Sequence, residues 1–191
     1  MAPSRARFYK LSIVLIGGFI IVVAFIQFRY ESKALLWHVT HGSTYQWRGL
    51  IIRVPLMYDV NVGSSRTIQV VTMPGRLRAG RKAPFGIISI IRAQNDAEGS
   101  EIEELDKQIA SAREKQGFRP TNSQTIEVAG IPMQCQERLA ENFRSYGPAS
   151  SVRCQAENKL LFVEFEGSAA LLNEFYSLAR QIRTTTSNRN L

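Results

Sequence analysis

Histidine and cysteine are both scarce in this chain, with two of each in 191 residues. Two cysteines are too few for a disulfide scaffold or an all-cysteine metal site. The two histidines, His38 and His41, sit together close behind an apolar N-terminal run. A serine–histidine triad would have to recruit one of them from there, which disfavours that chemistry. The sequence also lacks G-x-S-x-G, H-E-x-x-H and C-x-x-C, and it contains no internal repeat and no low-complexity segment. Acidic residues are fewer than basic ones, 16 against 24, for a net charge of +8. Half of that excess lies before residue 34, so the remainder is only mildly basic and a poor match for nucleic acid. With 45% hydrophobic and 21% charged residues the chain is not a disordered tail.

One long apolar run stands out. Leu11 to Phe28 reads LSIVLIGGFIIVVAFIQF and carries no charge. As a helix it would measure about 27 Å, close to the hydrocarbon thickness of a bilayer. Phe8, Tyr9, Phe28 and Tyr30 stand where an aromatic belt would lie, and Arg5, Arg7 and Lys10 precede the run with no acid among them. The positive-inside rule then keeps the N-terminus in the cytoplasm and exports the rest of the chain. A cleaved signal peptide would have a shorter apolar region ending in small residues, whereas Gln27-Phe28-Arg29-Tyr30 are large. A prepilin-type cut after Gly18 would want Glu where Val23 stands. Gly17-Gly18 is not a GxxxG pair. The expected organisation is a cytoplasmic arm (1–10), a transmembrane anchor (11–28), a juxtamembrane stalk (29–45), an exported domain (46–183) and a polar tail (184–191).

Beyond the run the pattern alternates. Leu50, Ile52 and Val54 share one face of a strand; Val60 and Val62 mark a short extended piece; Ile68, Val70 and Thr72 alternate again. Gly86 to Arg92 is apolar on both faces, as a strand interior to a sheet would be. Ser100-Glu101-Ile102-Glu103 reads as a capping box opening a helix. Its apolar stripe would be Ile102, Leu105, Ile109 and Ala112, with Gly117 ending it. Thr125 to Leu139 reads as strand, turn, strand around Gly130. Ser151 to Ala156 and Leu160 to Glu166 are two more strands, and Ser168 would cap a last helix with Leu171, Phe175, Leu178 and Ile182 inside. Strands, helix, strands, helix with short loops predict an α+β domain: an antiparallel sheet packed with helices.

Cys135 and Cys154 flank a midpoint between Arg144 and Ser145, next to Gly147-Pro148. If the flanking segments pair as an antiparallel hairpin, the two cysteines face each other. Facing Cβ atoms lie about 4.5–5.5 Å apart and a bridge needs about 3.5–4.5 Å, so a disulfide is expected with slight adjustment. An exported location is also the oxidising one.

Other chemistry finds weaker support. His38 and His41 at i, i+3 would face one metal on a helix, but no further ligand lies nearby in sequence, so neither a metal nor a cofactor is expected. Gly75 to Ala83 superficially resembles a phosphate loop, yet Arg81 and Lys82 stand where Lys and Ser/Thr are required. The cations Arg76, Arg78, Arg81 and Lys82 make instead a candidate contact for an acidic partner or lipid headgroups. Asp96 to Asp106 lacks calcium-loop spacing. Phe143, Arg144 and Tyr146 fall at the predicted hairpin tip, where they would either reach a partner or, for Phe143, tuck back under the loop.

The succession Trp47-Arg48-Gly49, an apolar strand ending in Val54-Pro55, Ala129-Gly130-Ile131-Pro132, Leu161 to Gly167 and Glu174-Phe175 in the last helix resembles the PsbP-like superfamily. That superfamily includes photosystem II extrinsic subunits and bacterial DcrB-like envelope proteins. The resemblance covers roughly Gln46 to Arg183 and implies an antiparallel sheet flanked by helices with a non-catalytic accessory role. The anchor and the cysteine pair are not part of the shared pattern, and no site residue transfers. The functional expectation is a non-enzymatic module of the bacterial inner membrane, single-pass, with a periplasmic domain. It would bind or stabilise a larger envelope or membrane complex. The alternative is a small-ligand or lipid-binding domain with a pocket between sheet and helix.

Overall fold

A computed structural model of the chain describes residues 5–72, 85–143 and 147–185. Two helices lead: α1 (Arg5–Gln27) and α2 (Arg29–His41). Among the described residues no single helix is long and apolar enough to cross a membrane; Val14–Ala24 and Arg29–His41 meet that standard only as a pair, bent by 93°. Apart from the half-buried Val23, the large side chains from Val14 to Ile26 that are described stand exposed along α1.

The helix α2 makes up most of the segment expected as a stalk, 29–45. It lies against the domain, with Glu31 and Ala34 buried and Trp37 packed on the edge of the core. Lys33 Nζ reaches Asp59 at 2.6 Å, and the two ring nitrogens of His38 lie 2.8 Å from the carbonyl oxygens of Gly42 and Pro55. His41 stacks on Trp37. Gly42 ends the helix, as expected, at φ +77.

Ten strands follow among the described residues: β1 (Thr44–Trp47), β2 (Leu50–Arg53), β3 (Asp59–Val62), β4 (Thr67–Thr72), β5 (Gly86–Arg92), β6 (Arg119–Val128), β7 (Ile131–Ala140), β8 (Ala149–Ala156), β9 (Leu161–Ser168) and β10 (Arg183–Thr184). Seven of them form one sheet in the order β3-β4-β5-β9-β8-β7-β6, and β1-β2-β10 form a small second one. All of these pairings are antiparallel. The α+β expectation therefore holds for the domain. Of the segment expected as a tail, Thr184 pairs with Leu50 and the Thr185 N–H donates to the Gly49 carbonyl, while 186–191 lie outside the described residues.

The period-2 pattern sets which face of the large sheet is dry. Ile68, Ile90, Val163, Cys154 and Cys135 are register neighbours across five strands and are all buried. On this face sit the small sheet, through Trp47, Leu50 and Ile52, and the helix α4 (Leu172–Arg180), through Phe175, Tyr176 and Ala179. A 3₁₀ turn (Ala169–Leu171) precedes α4, and the Ser168 side chain does not cap it, contrary to expectation. Tyr176 donates from its hydroxyl to Glu137 Oε1 at 2.6 Å. Gln124 and Asn122 donate to the same oxygen at 2.8 and 3.2 Å, so this buried carboxylate is well supplied with donors.

The Ala129-Gly130 turn between β6 and β7 has positive φ at both positions, +56 and +77, as a type I′ hairpin needs. Cys135 and Cys154 are direct partners in the β7–β8 register and are disulfide-bonded.

The helix α3 (Asp96–Lys115) begins before the predicted Ser100. Asn95 is its N-cap and accepts from the Glu98 N–H at 3.0 Å, while the Glu98 carboxylate accepts from the Gln94 N–H and pairs with Arg66. The cap thus runs from Asn95 to Glu98, five residues upstream, and differs from a capping box in that the acid takes the N–H of Gln94 instead of that of the N-cap residue. Gly99 concealed it in the sequence: a Cβ there would stand 2.4 Å from the Lys159 carbonyl oxygen, so glycine is kept for close approach within the helix. Gly117, at φ +91, follows the helix end as predicted.

Candidate functional site

The other face of the large sheet is polar. Ser89, Glu164, Arg153 and Gln136 are register neighbours there, as are Glu166, Ser151 and Arg138 beside them. The helix α3 lies over this face, and it does so the opposite way round from the sequence expectation. Leu105 is 56% exposed and Ile109 41%, so the predicted apolar stripe looks mostly outward. Beyond the buried Glu98 and Gly99 of the first turn, the less exposed residues of α3 are Ile102 of the predicted stripe together with Glu103, Asp106, Ala110 and Arg113. A polar sheet face offers ion-pair partners rather than a dry surface, and those pairs set the helix rotation.

Three such pairings hold α3. Arg153 Nη1 reaches Asp106 and, at 3.0 Å, Glu164 Oε1. Lys159 Nζ meets Glu103 Oε2 at 2.7 Å, and Arg113 pairs with Glu166. Arg153 is the centre of this arrangement. Its guanidinium stacks 4.8 Å above the Phe162 ring, and its Nε and Nη2 are buried without a hydrogen-bond acceptor among the described residues. Burial pushes the Glu164 carboxyl above its ordinary range, an effect that the Arg153 charge opposes and does not cancel. The hydrogen bond from Lys159 holds the Glu103 carboxyl below that range.

Two openings flank the Asp106–Arg153 pair. The larger, about 490 Å³, is lined by Ser123, Gln134, Gln136 and Gln155 from the sheet and by Glu103 and Lys107 from α3. The smaller, about 140 Å³, reaches Ser89, Arg138 and Glu164. Amides, hydroxyls and paired charges can hydrogen-bond a polar solute. Among the described residues no group of three His, Cys, Asp or Glu side chains is placed to hold a metal ion. Glu164, a carboxyl with a raised pKa in a cleft, has the character of an acid catalyst, but it is tied to Arg153.

The residues singled out in the sequence fall elsewhere. Arg76, Arg78, Arg81, Lys82, Arg144 and Tyr146 lie outside the described residues. Phe143 turns inward, 6% exposed, with its ring 5.2 Å from that of Phe118 and Ala140 and Ala149 beside it. The tucked alternative is the one adopted, so Phe143 is withdrawn as an exposed anchor. A pocket between sheet and helix was the alternative expectation, but none of the residues that line this groove was singled out in the sequence as a site residue. Its signal was the polar half of the strand alternation, Ser151-Arg153-Gln155 and Glu164-Glu166, which marks a face that is either wet or covered by a polar helix side.

No family model matches the chain, and no curated protein matches it.

Proposed function

We propose that this chain is a membrane-anchored, exported and non-catalytic accessory module that binds or stabilises a larger envelope or membrane complex. In this proposal residues 11–28 span a bacterial inner membrane once, with the N-terminus cytoplasmic and the domain periplasmic. The PsbP-like resemblance belongs to the same proposal. The observation that carries it is α1, whose exposed Val, Leu, Ile and Phe side chains are left uncovered by the described residues of the domain. The Cys135–Cys154 disulfide suits the oxidising side of such a membrane. The outward Leu105 and Ile109 give α3 an apolar face at which a protein partner would be met.

The test is a protease added to inverted membrane vesicles, combined with photo-crosslinkers at Leu105 and Ile109 in native membranes. Protection of the bulk of the chain and a crosslinked adduct at both positions support the proposal. Digestion down to a stub overturns the topology. A chain recovered always alone overturns the accessory role.

The second reading, a small-ligand module, is favoured by the groove beneath α3. Its lining is polar, so the ligand would be a hydrogen-bonding solute rather than a lipid.

A further inference from the structure

One surface of α2 has no role in the fold. On a helical wheel Glu31, Ala34 and His38 point at the domain, where Glu31 and Ala34 are buried. The side away from them carries Val39 and Leu36 with Ser32 between, flanked by Leu35 at the margin next to Glu31 and by Arg29 at the other margin. Leu36 is 60% exposed and Val39 83%. A soluble domain gains nothing from a leucine pair and a valine aligned on the outer side of a helix that is already docked by an ion pair and a histidine contact.

The position of α2 names what covers that side. It starts one residue after α1 ends, and the two helices meet at 93°. If α1 runs along the membrane normal, a helix at a right angle to it lies in the plane of the surface. Arg29 and Tyr30 stand at the corner, the guanidinium 4.6 Å from the ring centroid, where a basic and aromatic belt belongs. An amphipathic helix in that plane sinks its apolar side about 5–10 Å into the boundary between headgroups and acyl chains.

We infer that α2 is an interfacial helix whose Leu35, Leu36 and Val39 rest in the outer surface of the bilayer that α1 enters, seating the domain against the lipid. The inference rests on the proposed role of α1 as an anchor. Lys33, His38 and the buried Ala34 transmit the seating to β3 and the Pro55 turn, so the domain keeps one orientation towards the membrane.

Both native cysteines are bonded, so one introduced cysteine takes a spin label alone. The full chain is reconstituted in vesicles of phosphatidylethanolamine and phosphatidylglycerol, labelled singly in the variants Leu36→Cys, Val39→Cys, Ile20→Cys and Gln108→Cys. Collision with oxygen and with a water-soluble nickel chelate then gives depth. Ile20 should read deep in the hydrocarbon, Gln108 fully in water, and Leu36 and Val39 about 5–10 Å below the phosphates. Val39 and Leu36 as open to nickel as Gln108, with Ile20 still deep, overturn the seating of α2 and leave the anchor standing. Ile20 open to nickel removes the anchor and this inference with it. Val39 shielded but broadened by a second label shows a second copy on that surface, which also overturns it.

Discussion

At the scale of single residues, the least replaceable polar contact is that between Tyr176 and Glu137. Tyr176→Phe keeps the ring and removes one of the three donors to a buried carboxylate oxygen. The expected loss is about 1.5–3 kcal/mol, read as a lower urea midpoint with an unchanged slope. Burial also raises the Tyr176 phenol above its ordinary pKa, so the folded state resists ionisation that the unfolded chain accepts. That contribution is complete below the ordinary phenol value and lost as the pH climbs beyond it. Glu164 gives a second pH dependence, on the acid side. Its carboxyl holds a proton to higher pH in the folded state than in the unfolded chain. Between the two values the folded state binds more protons, so stability falls as pH rises through that window. Glu164→Gln keeps an acceptor for Arg153 and removes the titration. Its urea midpoint relative to wild type should improve from about pH 4 to about pH 7, and a constant difference would contradict the assignment. The legibility of single residues was uneven. Cys135 and Cys154 could be paired from spacing because antiparallel register is arithmetic. Arg153 could not be found, because nothing local in Val152-Arg153-Cys154 tells which helix residue arrives above it.

At the scale of elements, α3 separates what periodicity can establish from what it cannot. A 3.6-residue repeat identifies the helix and its apolar stripe; it does not say that the stripe meets the sheet. Here the sheet face below is polar, and Asp106, Glu103 and Arg113 turn towards it. Arg153→Gln removes the central pairing cation. Amide hydrogen exchange should then rise along Glu103 to Arg113 well before it rises in β8 or β9, with a global cost of about 1–3 kcal/mol. Equal acceleration in helix and strands would mean that Arg153 holds the core rather than α3. Gly99→Ala probes the other end of the same helix. Alanine improves intrinsic helix propensity by about 1 kcal/mol, yet its Cβ would collide with the Lys159 carbonyl. The close approach decides the sign, and a net loss of about 1–3 kcal/mol is expected in thermal melts.

At the scale of the whole molecule, the antiparallel α+β plan was legible because most of its strands alternate and most of its connections are short. The apolar halves of β2, β4 and β9 fell where expected, with Ile52, Ile68 and Val163 buried. The small sheet was not legible, since β10 is two residues long and takes its place only through Leu50 and Ile51. The disulfide acts at this scale by limiting the unfolded chain. Its residues are 19 positions apart, which gives about 3 kcal/mol in the loop-entropy model. Reduction, or the double change Cys135→Ala with Cys154→Ala, should lower the unfolding free energy from urea titration by about that amount while the spectrum of the folded state persists. The pairing of β10 with β2 joins the last part of the domain to nearly its first, and β5 likewise waits for the distant β9. Local hairpins such as β6–β7 form early, whereas these closures carry a loop-entropy cost that slows them. A nascent chain in which Arg183 and Thr184 have not yet emerged leaves β2 with an open edge, so the small sheet is completed only when those two residues are free to reach Ile51 and Leu50.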